Sequence, residues 1–122
     1  MAKSILIVED ESQVRTLLEL VLSTEGFDVI EAEDGTRALT LLRKRRGRVA
    51  AVLTDIDMGR MNGIEFAESV KAEFPTIPIM FISALPVPPA DLDRLVPGSA
   101  FVSKPFDGAV LVNAVRNLIE QS

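Results

Sequence analysis

Four short apolar runs in this chain each end at a polar residue that can take part in chemistry. The first run leads into Glu9 and Asp10, the second into Asp55, the third into Ser83 and the fourth into Lys104. Buried strands of a parallel sheet have this form in a sequence, and ligands bind beyond the carboxyl ends of such strands. The pattern therefore predicts that three carboxylates, one hydroxyl and one ammonium group converge at one edge of a sheet.

Between these runs, the apolar residues recur at the three-to-four-residue spacing of helices. Gly26 ends the first predicted helix, the Asn62-Gly63 turn begins the third, and Pro75 marks where the third has ended. The five predicted strands cover residues 5–8, 27–32, 49–54, 79–82 and 100–102. The last predicted helix covers residues 107–120. Strands that alternate with helices predict an α/β fold with a mainly parallel sheet.

The segment between the fourth and fifth strands is rich in proline, with Pro86, Pro88, Pro89 and Pro97. Proline is tolerated in the first turn of a helix but not in its interior. Any helix in this segment is therefore confined to about residues 90–96. We expect the fourth helix to be short or irregular.

The size and composition of the chain limit what it can be. A length of 122 residues predicts one domain over residues 1–122, and the formal net charge of −5 argues against direct nucleic-acid binding. No apolar stretch is long enough for a membrane span, and the run at residues 5–8 is too short for a secretory signal. The chain has no cysteine, which favours a cytoplasmic location, and no histidine to serve as a base, metal ligand or phosphoryl donor.

Convergence of Glu9, Asp10 and Asp55 requires a partner for their charge. Two carboxylates ~4 Å apart repel by about 4 kcal/mol at an effective dielectric constant near 20, which corresponds to roughly three pKa units. A proton or a cation must relieve this repulsion. Oxygen ligands without nearby histidine or cysteine suit Mg²⁺, which is commonly held by one or two carboxylates, waters and a phosphate.

A carboxylate beside Mg²⁺ can attack phosphorus and form an aspartyl phosphate. Phosphoryl transfer depends mainly on positioning and on neutralising charge. Lys104 would supply positive charge, and Ser83 would offer a hydroxyl donor to a phosphoryl oxygen. No residue in the set is an evident base for activating water, so the set suits a long-lived phosphoryl group better than rapid hydrolysis.

Four motifs together resemble the receiver domain of bacterial two-component response regulators. They are VEDE at the end of the first strand, LTDIDMGRMNG around Asp55, FISA at Ser83 and FVSKPF around Lys104. The resemblance covers nearly the whole chain, and the motifs occur in the family's order. It implies a doubly wound, five-stranded parallel sheet with strand order 2-1-3-4-5, flanked by helices.

The resemblance also implies roles for the acidic residues. Asp55 corresponds to the phosphoacceptor. Glu9 and Asp10 correspond to the family's acidic pair, in which Asp10 would bind Mg²⁺ directly. Asp57 stands where the family supplies a backbone carbonyl to the metal.

The remaining motif residues resemble the family's switching apparatus. Ser83 corresponds to the switch hydroxyl, Lys104 to the active-site lysine, and Phe101 to the switch aromatic three residues before it. The Lys104-Pro105 bond matches one that is often cis in the family, although only ~5% of X–Pro bonds in folded proteins are cis.

From the resemblance we expect a signalling switch that catalyses only its own phosphorylation and dephosphorylation, and is not otherwise an enzyme. A sensor histidine kinase or histidine phosphotransfer protein would donate to Asp55. The phosphoryl group would draw Ser83 toward it and let Phe101 move inward, shifting a pre-existing equilibrium. With no effector segment after residue 122, the output would be a contact with another protein or onward phosphate relay.

This chain also departs from the family pattern. Gly59 replaces the usual proline four residues after the phosphoacceptor, which is expected to loosen that loop. The Asp57 side chain adds a carboxylate near the phosphoryl position and is expected to slow attack by anionic donors and alter dephosphorylation. Leu85 is apolar where a residue could position water, which favours slow hydrolysis. The proline-rich residues 86–89 are unusual and bear on the output surface.

Other interpretations remain at this point. Asp55-Ile56-Asp57 has the DxD form of haloacid-dehalogenase-type phosphatases, although that motif belongs on a first strand and here follows the third. A pseudo-receiver that only docks to partners is a second alternative. The basic residues at 43–48 fit either a solvated helix end, where cations are favourable, or a docking surface.

Overall fold

The protein forms a five-stranded parallel sheet with helices on both faces. The computed structural model describes residues 2–58 and 62–121. The strand order is β2-β1-β3-β4-β5, so the predicted doubly wound topology is confirmed. The strands are β1 (Ser4–Val8), β2 (Asp28–Ala32), β3 (Ala51–Asp55), β4 (Ile79–Ser83) and β5 (Ala100–Ser103).

The helices follow the strands in strict alternation. They are α1 (Ser12–Thr24), α2 (Gly35–Lys44), α3 (Gly63–Glu73), α4 (Leu92–Leu95) and α5 (Gly108–Glu120). At the start of three helices a side-chain oxygen accepts a hydrogen bond from a backbone N–H; these acceptors belong to Asp34 at α2, Asn62 at α3 and Asp107 at α5. These caps satisfy N–H groups that have no partner inside a helix. Gly26, with φ of 92°, follows the end of α1.

Alternation along the strands divides the core between the two faces of the sheet. Ile5, Leu53 and Ile82 point to the face covered by α1 and α5. Leu6 and Phe81 point to the opposite face, which α2, α3 and α4 cover. Because both faces of β1, β3 and β4 are buried, these strands are apolar at most positions and appear as short continuous runs in the sequence.

The fourth helix is short, as the prolines predicted. It has four residues, Leu92–Leu95, within the predicted limits of residues 90–96. Leu92 and Val96 are buried in the core. Within residues 2–58 and 62–121, none of the helices is both long and apolar enough to cross a bilayer.

Two strands begin later than the sequence predicted. The second strand was predicted from residue 27, but the N–H of Phe27 bonds to the carbonyl of Leu22 at the end of α1. The third strand was predicted over residues 49–54, but Arg46 and Gly47 have positive φ, and the N–H of Val49 bonds to the carbonyl of Gly47. This turn delays the strand until Ala51, and the strand then includes Asp55.

Candidate functional site

The carboxyl ends of β1, β3 and β5 bring the predicted site residues together. Glu9 and Asp10 follow β1, Asp55 is the last residue of β3, and Lys104 follows β5. Strands β1 and β3 are paired, so Glu9 and Asp55 lie at adjacent strand ends. One carboxylate oxygen from each of Glu9, Asp10 and Asp55 lies within 4.8 Å of the other two. The structure thus brings the three carboxylates together.

Lys104 is ion-paired with two of these carboxylates. Its Nζ lies 3.0 Å from Oε1 of Glu9 and 2.8 Å from Oδ2 of Asp55. The backbone N–H of Lys104 donates to the carbonyl of Ser83 at 2.7 Å, which fixes the chain at the end of β5 against β4. The Lys104-Pro105 peptide bond is cis.

The three carboxylates differ in their exposure. Glu9 is 1% exposed and Asp55 is 9% exposed, whereas Asp10 is exposed to solvent. One ammonium group cannot balance three carboxylates, so the fully ionised site has an excess of negative charge. Clustered oxygen ligands with one solvent-facing member suit a hard divalent cation that keeps some of its waters. The donor set therefore fits Mg²⁺.

Burial changes the acid–base behaviour of the site. It raises the pKa of the Glu9 carboxyl from 4.5 to about 7, against the lowering effect of hydrogen bonds from Lys104 and from the N–H of Glu11. Burial lowers the pKa of Lys104, but its hydrogen bonds to Asp55 and Glu9 outweigh this effect and raise the pKa overall. Lys104 is therefore a stable ammonium group at neutral pH.

Asp55 is held in place by its own neighbours in the chain. The N–H of Asp57 donates to Oδ1 of Asp55 at 3.1 Å, and the hydroxyl of Thr54 donates to the carbonyl oxygen of Asp55 at 2.9 Å. With Oδ2 bound to Lys104, each carboxylate oxygen has one hydrogen bond. The side chain of Asp57 is exposed. Binding of a metal by the backbone carbonyl of Asp57 stays a prediction.

Gly63 is a positioning residue that the sequence identified only as part of a turn. A Cβ atom at Gly63 would lie 1.8 Å from the carbonyl oxygen of Asp55. The N–H of Gly63 donates to the carbonyl of Ile56 at 2.7 Å, so α3 begins in direct contact with the end of β3. Only glycine permits this close approach. Gly59, predicted to loosen this loop, lies outside the described residues.

The two predicted switch residues lie on β4 and β5. Ser83 is buried, and its hydroxyl oxygen accepts the N–H of Leu85 at 3.1 Å. Phe101 is half-buried, is opposite Phe81 in the register of the two strands, and packs against the core beneath α4. Their switching roles stay predictions.

Two further contacts at the site were not predicted. The Nη1 atom of Arg15 on α1 donates to the carbonyl of Glu9 at 2.7 Å. The hydroxyl of Ser103 lies 3.1 Å from the carbonyl oxygens of both Leu85 and Pro86. Both contacts use backbone carbonyls as acceptors. Every residue has such a carbonyl, so the sequence does not indicate which one will accept a hydrogen bond.

Comparison with known families and proteins gives a consistent result. A family model described as the response regulator receiver domain matches residues 5–116. The chain is 32% identical to the alkaline phosphatase synthesis transcriptional regulatory protein SphR of Synechococcus elongatus, over 99% of the chain and 50% of that protein. It is 31% identical to the transcriptional regulatory protein CpxR of Escherichia coli, over 97% of the chain and 50% of that protein. The chain thus spans about half the length of these relatives.

Solved structures resemble the fold closely. A response regulator receiver protein from Sinorhizobium medicae has a TM-score of 0.83 and 30% identity, with 98% of this chain and 95% of that chain covered. The chemotaxis protein CheY4 of Vibrio cholerae has a TM-score of 0.88 over 97% of this chain and 99% of that chain. Its sequence identity of 24% supports a shared fold only.

Proposed function

Because the chain belongs to the response regulator receiver domain family, we propose that it is a phosphorylation-dependent signalling switch with Asp55 as its phosphoacceptor. The observation that carries this proposal is the ion pair between Lys104 and Asp55 at 2.8 Å, inside a cluster that also contains Glu9 and Asp10. A carboxylate in this position is fixed by hydrogen bonds and has a cation beside it. Residues 1–122 would act as one receiver unit.

The proposed reaction moves a phosphoryl group from a phosphohistidine to Asp55. A carboxylate oxygen of Asp55 forms a bond to phosphorus, the phosphorus–nitrogen bond of the donor breaks, and the departing imidazole takes up a proton. The proposed donor is a sensor histidine kinase or a histidine phosphotransfer protein, since residues 1–122 contain no histidine. The chain's own contribution is to orient the nucleophile and to stabilise charge on the phosphoryl oxygens.

Lys104 and Ser83 would serve the phosphorylated form. The Lys104 ammonium already lies against the oxygen of Asp55, so it can stay within reach of a phosphoryl oxygen. Ser83 is buried at the adjacent strand end and can donate its hydroxyl hydrogen. Reorientation of Ser83 would open space for Phe101 to move further into the core, which changes the surface near α4.

Receiver domains bind Mg²⁺ at an acidic site, and this chain has the acidic cluster for it. Glu9, Asp10 and Asp55 would hold the ion, with the backbone carbonyl of Asp57. The bound ion would supply positive charge to the phosphoryl oxygens and would relieve repulsion among the carboxylates. The buried position of Glu9 beside Lys104 suggests that Asp10 provides the more accessible ligand.

The alternatives have less support. In the phosphatase alternative Asp57 would act as an acid, but its side chain is exposed and its N–H donates to Asp55. A docking module that is never phosphorylated would not need three clustered carboxylates and a paired lysine. The proposed output is contact with an effector protein, or onward relay of the phosphoryl group.

The test uses acetyl phosphate and Mg²⁺ with the parent chain, Asp55→Asn and Asp57→Asn. We expect the parent and Asp57→Asn to gain the mass of one phosphoryl group, and Asp55→Asn to gain none. Omission of Mg²⁺ should abolish the gain. Phosphorylation of Asp55→Asn at another residue, or no gain in the parent, would contradict the proposal. Steady turnover of a small phosphomonoester would favour the phosphatase instead.

A further inference from the structure

The short fourth helix leaves little surface for a partner to contact. Leu92 and Val96 are buried, and Leu95 packs against the same core. The exposed residues are Asp93 and Arg94, and Arg94 is ion-paired with Asp91 just before the helix. A four-residue helix with its apolar side chains in the core cannot offer a broad docking face.

Exposed apolar side chains are present instead in the segment just before this helix, residues 85–89, which we term the proline loop. Leu85 is 42% exposed and Val87 is 66% exposed, and Val87 has the largest exposed fraction of the large apolar side chains in residues 2–58 and 62–121. Pro86 and Pro88 are also exposed. A cluster of exposed apolar side chains next to a functional site marks a candidate interaction surface.

The proline loop is attached at two points to strand ends of the site. The N–H of Leu85 donates to the Ser83 hydroxyl oxygen at 3.1 Å. The Ser103 hydroxyl contacts the carbonyl oxygens of Leu85 and Pro86, both at 3.1 Å. Ser83 and Ser103 are directly opposite each other in the β4–β5 register, so both attachments come from neighbouring strand ends. Ser103 also precedes Lys104. A change in the orientation of the Ser83 hydroxyl would therefore break a bond to the loop.

The composition of the loop indicates what kind of partner fits it. Pro86, Pro88 and Pro89 have no N–H to donate and have a fixed φ, so the loop loses little entropy when it binds. Pro86 and Pro89 have the PxxP spacing that aromatic-lined grooves recognise. Such grooves use tyrosine and tryptophan, which provide apolar faces and hydrogen-bond donors to carbonyls. This chain contains neither tyrosine nor tryptophan, so a second copy cannot provide that groove.

We propose that the proline loop is a docking ligand for an effector protein with an aromatic-lined groove. We also propose that Ser83 makes this docking depend on whether Asp55 is phosphorylated. The second part rests on the proposed function. When the Ser83 hydroxyl turns toward a phosphoryl group on Asp55, its oxygen leaves the N–H of Leu85. The loop then keeps its attachment to Ser103 alone and is free to fit a groove.

Docking is tested with a panel of isolated WW and SH3 domains, whose grooves are lined by tryptophan and tyrosine. The full-length parent, Val87→Asp and Val110→Asp are titrated with and without acetyl phosphate and Mg²⁺. Val110 is the matched control because it is a valine on α5 with 58% exposure. We expect at least one domain to bind the phosphorylated parent and Val110→Asp, and to bind Val87→Asp about tenfold more weakly or worse.

Binding by none of the domains, or equal binding of the parent and Val87→Asp, would overturn the docking proposal. So would a parent dimer that Val87→Asp dissociates, because the occupant would then be a second copy. Mass spectrometry of each sample reports phosphorylation of Asp55 separately. An unphosphorylated parent refutes the proposed function, whereas a phosphorylated parent that fails to discriminate Val87→Asp refutes only this inference.

Gating is tested by amide hydrogen exchange at Leu85, because this N–H makes the hydrogen bond in question. We expect phosphorylation to accelerate its exchange by about tenfold or more, and Ser83→Ala to give fast exchange in both states. Ser83→Ala should also increase binding by the unphosphorylated chain, while Ser103→Ala, which leaves the bond between Leu85 and Ser83 intact, should behave as the parent. Unchanged exchange at Leu85 on confirmed phosphorylation would overturn the gating.

Discussion

The ammonium group of Lys104 lies 2.8 Å from Oδ2 of Asp55, although 49 residues separate the two in the chain. The same ammonium group lies 3.0 Å from Oε1 of Glu9. One cation therefore bridges the ends of β1 and β3 from its position after β5. Lys104 is therefore ion-paired with two buried carboxylates at the same time.

Replacement of Lys104 by methionine is expected to destabilise the protein in the absence of divalent cations. The change leaves two buried carboxylates without their cation, and loss of one partner of a buried pair costs about 3–5 kcal/mol. Because the Lys104 side chain is 20% exposed, solvent screening should reduce the loss to about 2 kcal/mol. Urea unfolding in EDTA measures it, with Lys104→Arg as the charge-retaining control. Equal midpoints for the parent and Lys104→Met would show that the pair contributes nothing.

The raised pKa of Glu9 predicts that stability without metal falls as the pH rises. The folded protein holds a proton on Glu9 up to a pKa of about 7, whereas the unfolded chain releases it near 4.5. Between these values the folded state binds more protons, so the free energy of unfolding decreases with increasing pH. We expect a decrease on the order of 2 kcal/mol between about pH 4.5 and pH 7.

The measurement is urea unfolding in EDTA across this pH range for the parent and for Glu9→Gln, which cannot ionise. The difference between the two proteins isolates Glu9 from all other titrating groups. Addition of Mg²⁺ should flatten the parent's pH dependence, because the cation favours the ionised carboxylate. Parallel curves for the two proteins in EDTA would contradict the assignment.

Gly63→Ala is expected to disrupt the junction between β3 and α3. The new Cβ would lie 1.8 Å from the carbonyl oxygen of Asp55, so the backbone at Asp55 must shift. Overpacking of this kind costs about 1–3 kcal/mol or more. Gly108→Ala is the matched control, since its Cβ would meet Val21 at an ordinary distance of 3.6 Å. Thermal unfolding should show a loss for Gly63→Ala and no loss for Gly108→Ala, and similar behaviour of the two would refute the prediction.

Asp57→Asn is expected to speed phosphorylation by acetyl phosphate and to change the dephosphorylation rate. The exposed Asp57 carboxylate lies two residues from Asp55 and repels an approaching anion. The asparagine variant keeps the backbone N–H that donates to Oδ1 of Asp55. We expect an increase of about threefold at low ionic strength that diminishes in high salt. Rates unchanged at both ionic strengths would exclude an electrostatic role for this side chain.

The sequence predicted the fold and the convergence of the site because both depend on the apolar strands. Once the runs ending at Glu9, Asp55 and Lys104 are assigned to strands of one parallel sheet, all three residues must lie at the same edge of that sheet. The short fourth helix followed from the prolines in the same way. These predictions use local composition and the rules of α/β topology, and they need no side-chain detail.

Contacts to the backbone could not be predicted in this way. The bond from Leu85 to Ser83 and the bonds from Ser103 to the proline loop depend on how the loop turns after β4. The approach of Gly63 to Asp55 depends on the angle at which α3 leaves the sheet. The late start of β3 follows from the positive φ of Arg46, which a residue with a side chain seldom adopts.

The 2.7 Å hydrogen bond between the Lys104 amide and the Ser83 carbonyl joins the end of β4, which contains Ser83, to the residue that pairs with Asp55. A substitution that moves the end of β4 should therefore also move Lys104, the cation that is ion-paired with Asp55. If the chain acts as the proposed switch, the speed of signalling and the capture of phosphate should therefore change together. Variants selected for one property should carry a measurable change in the other.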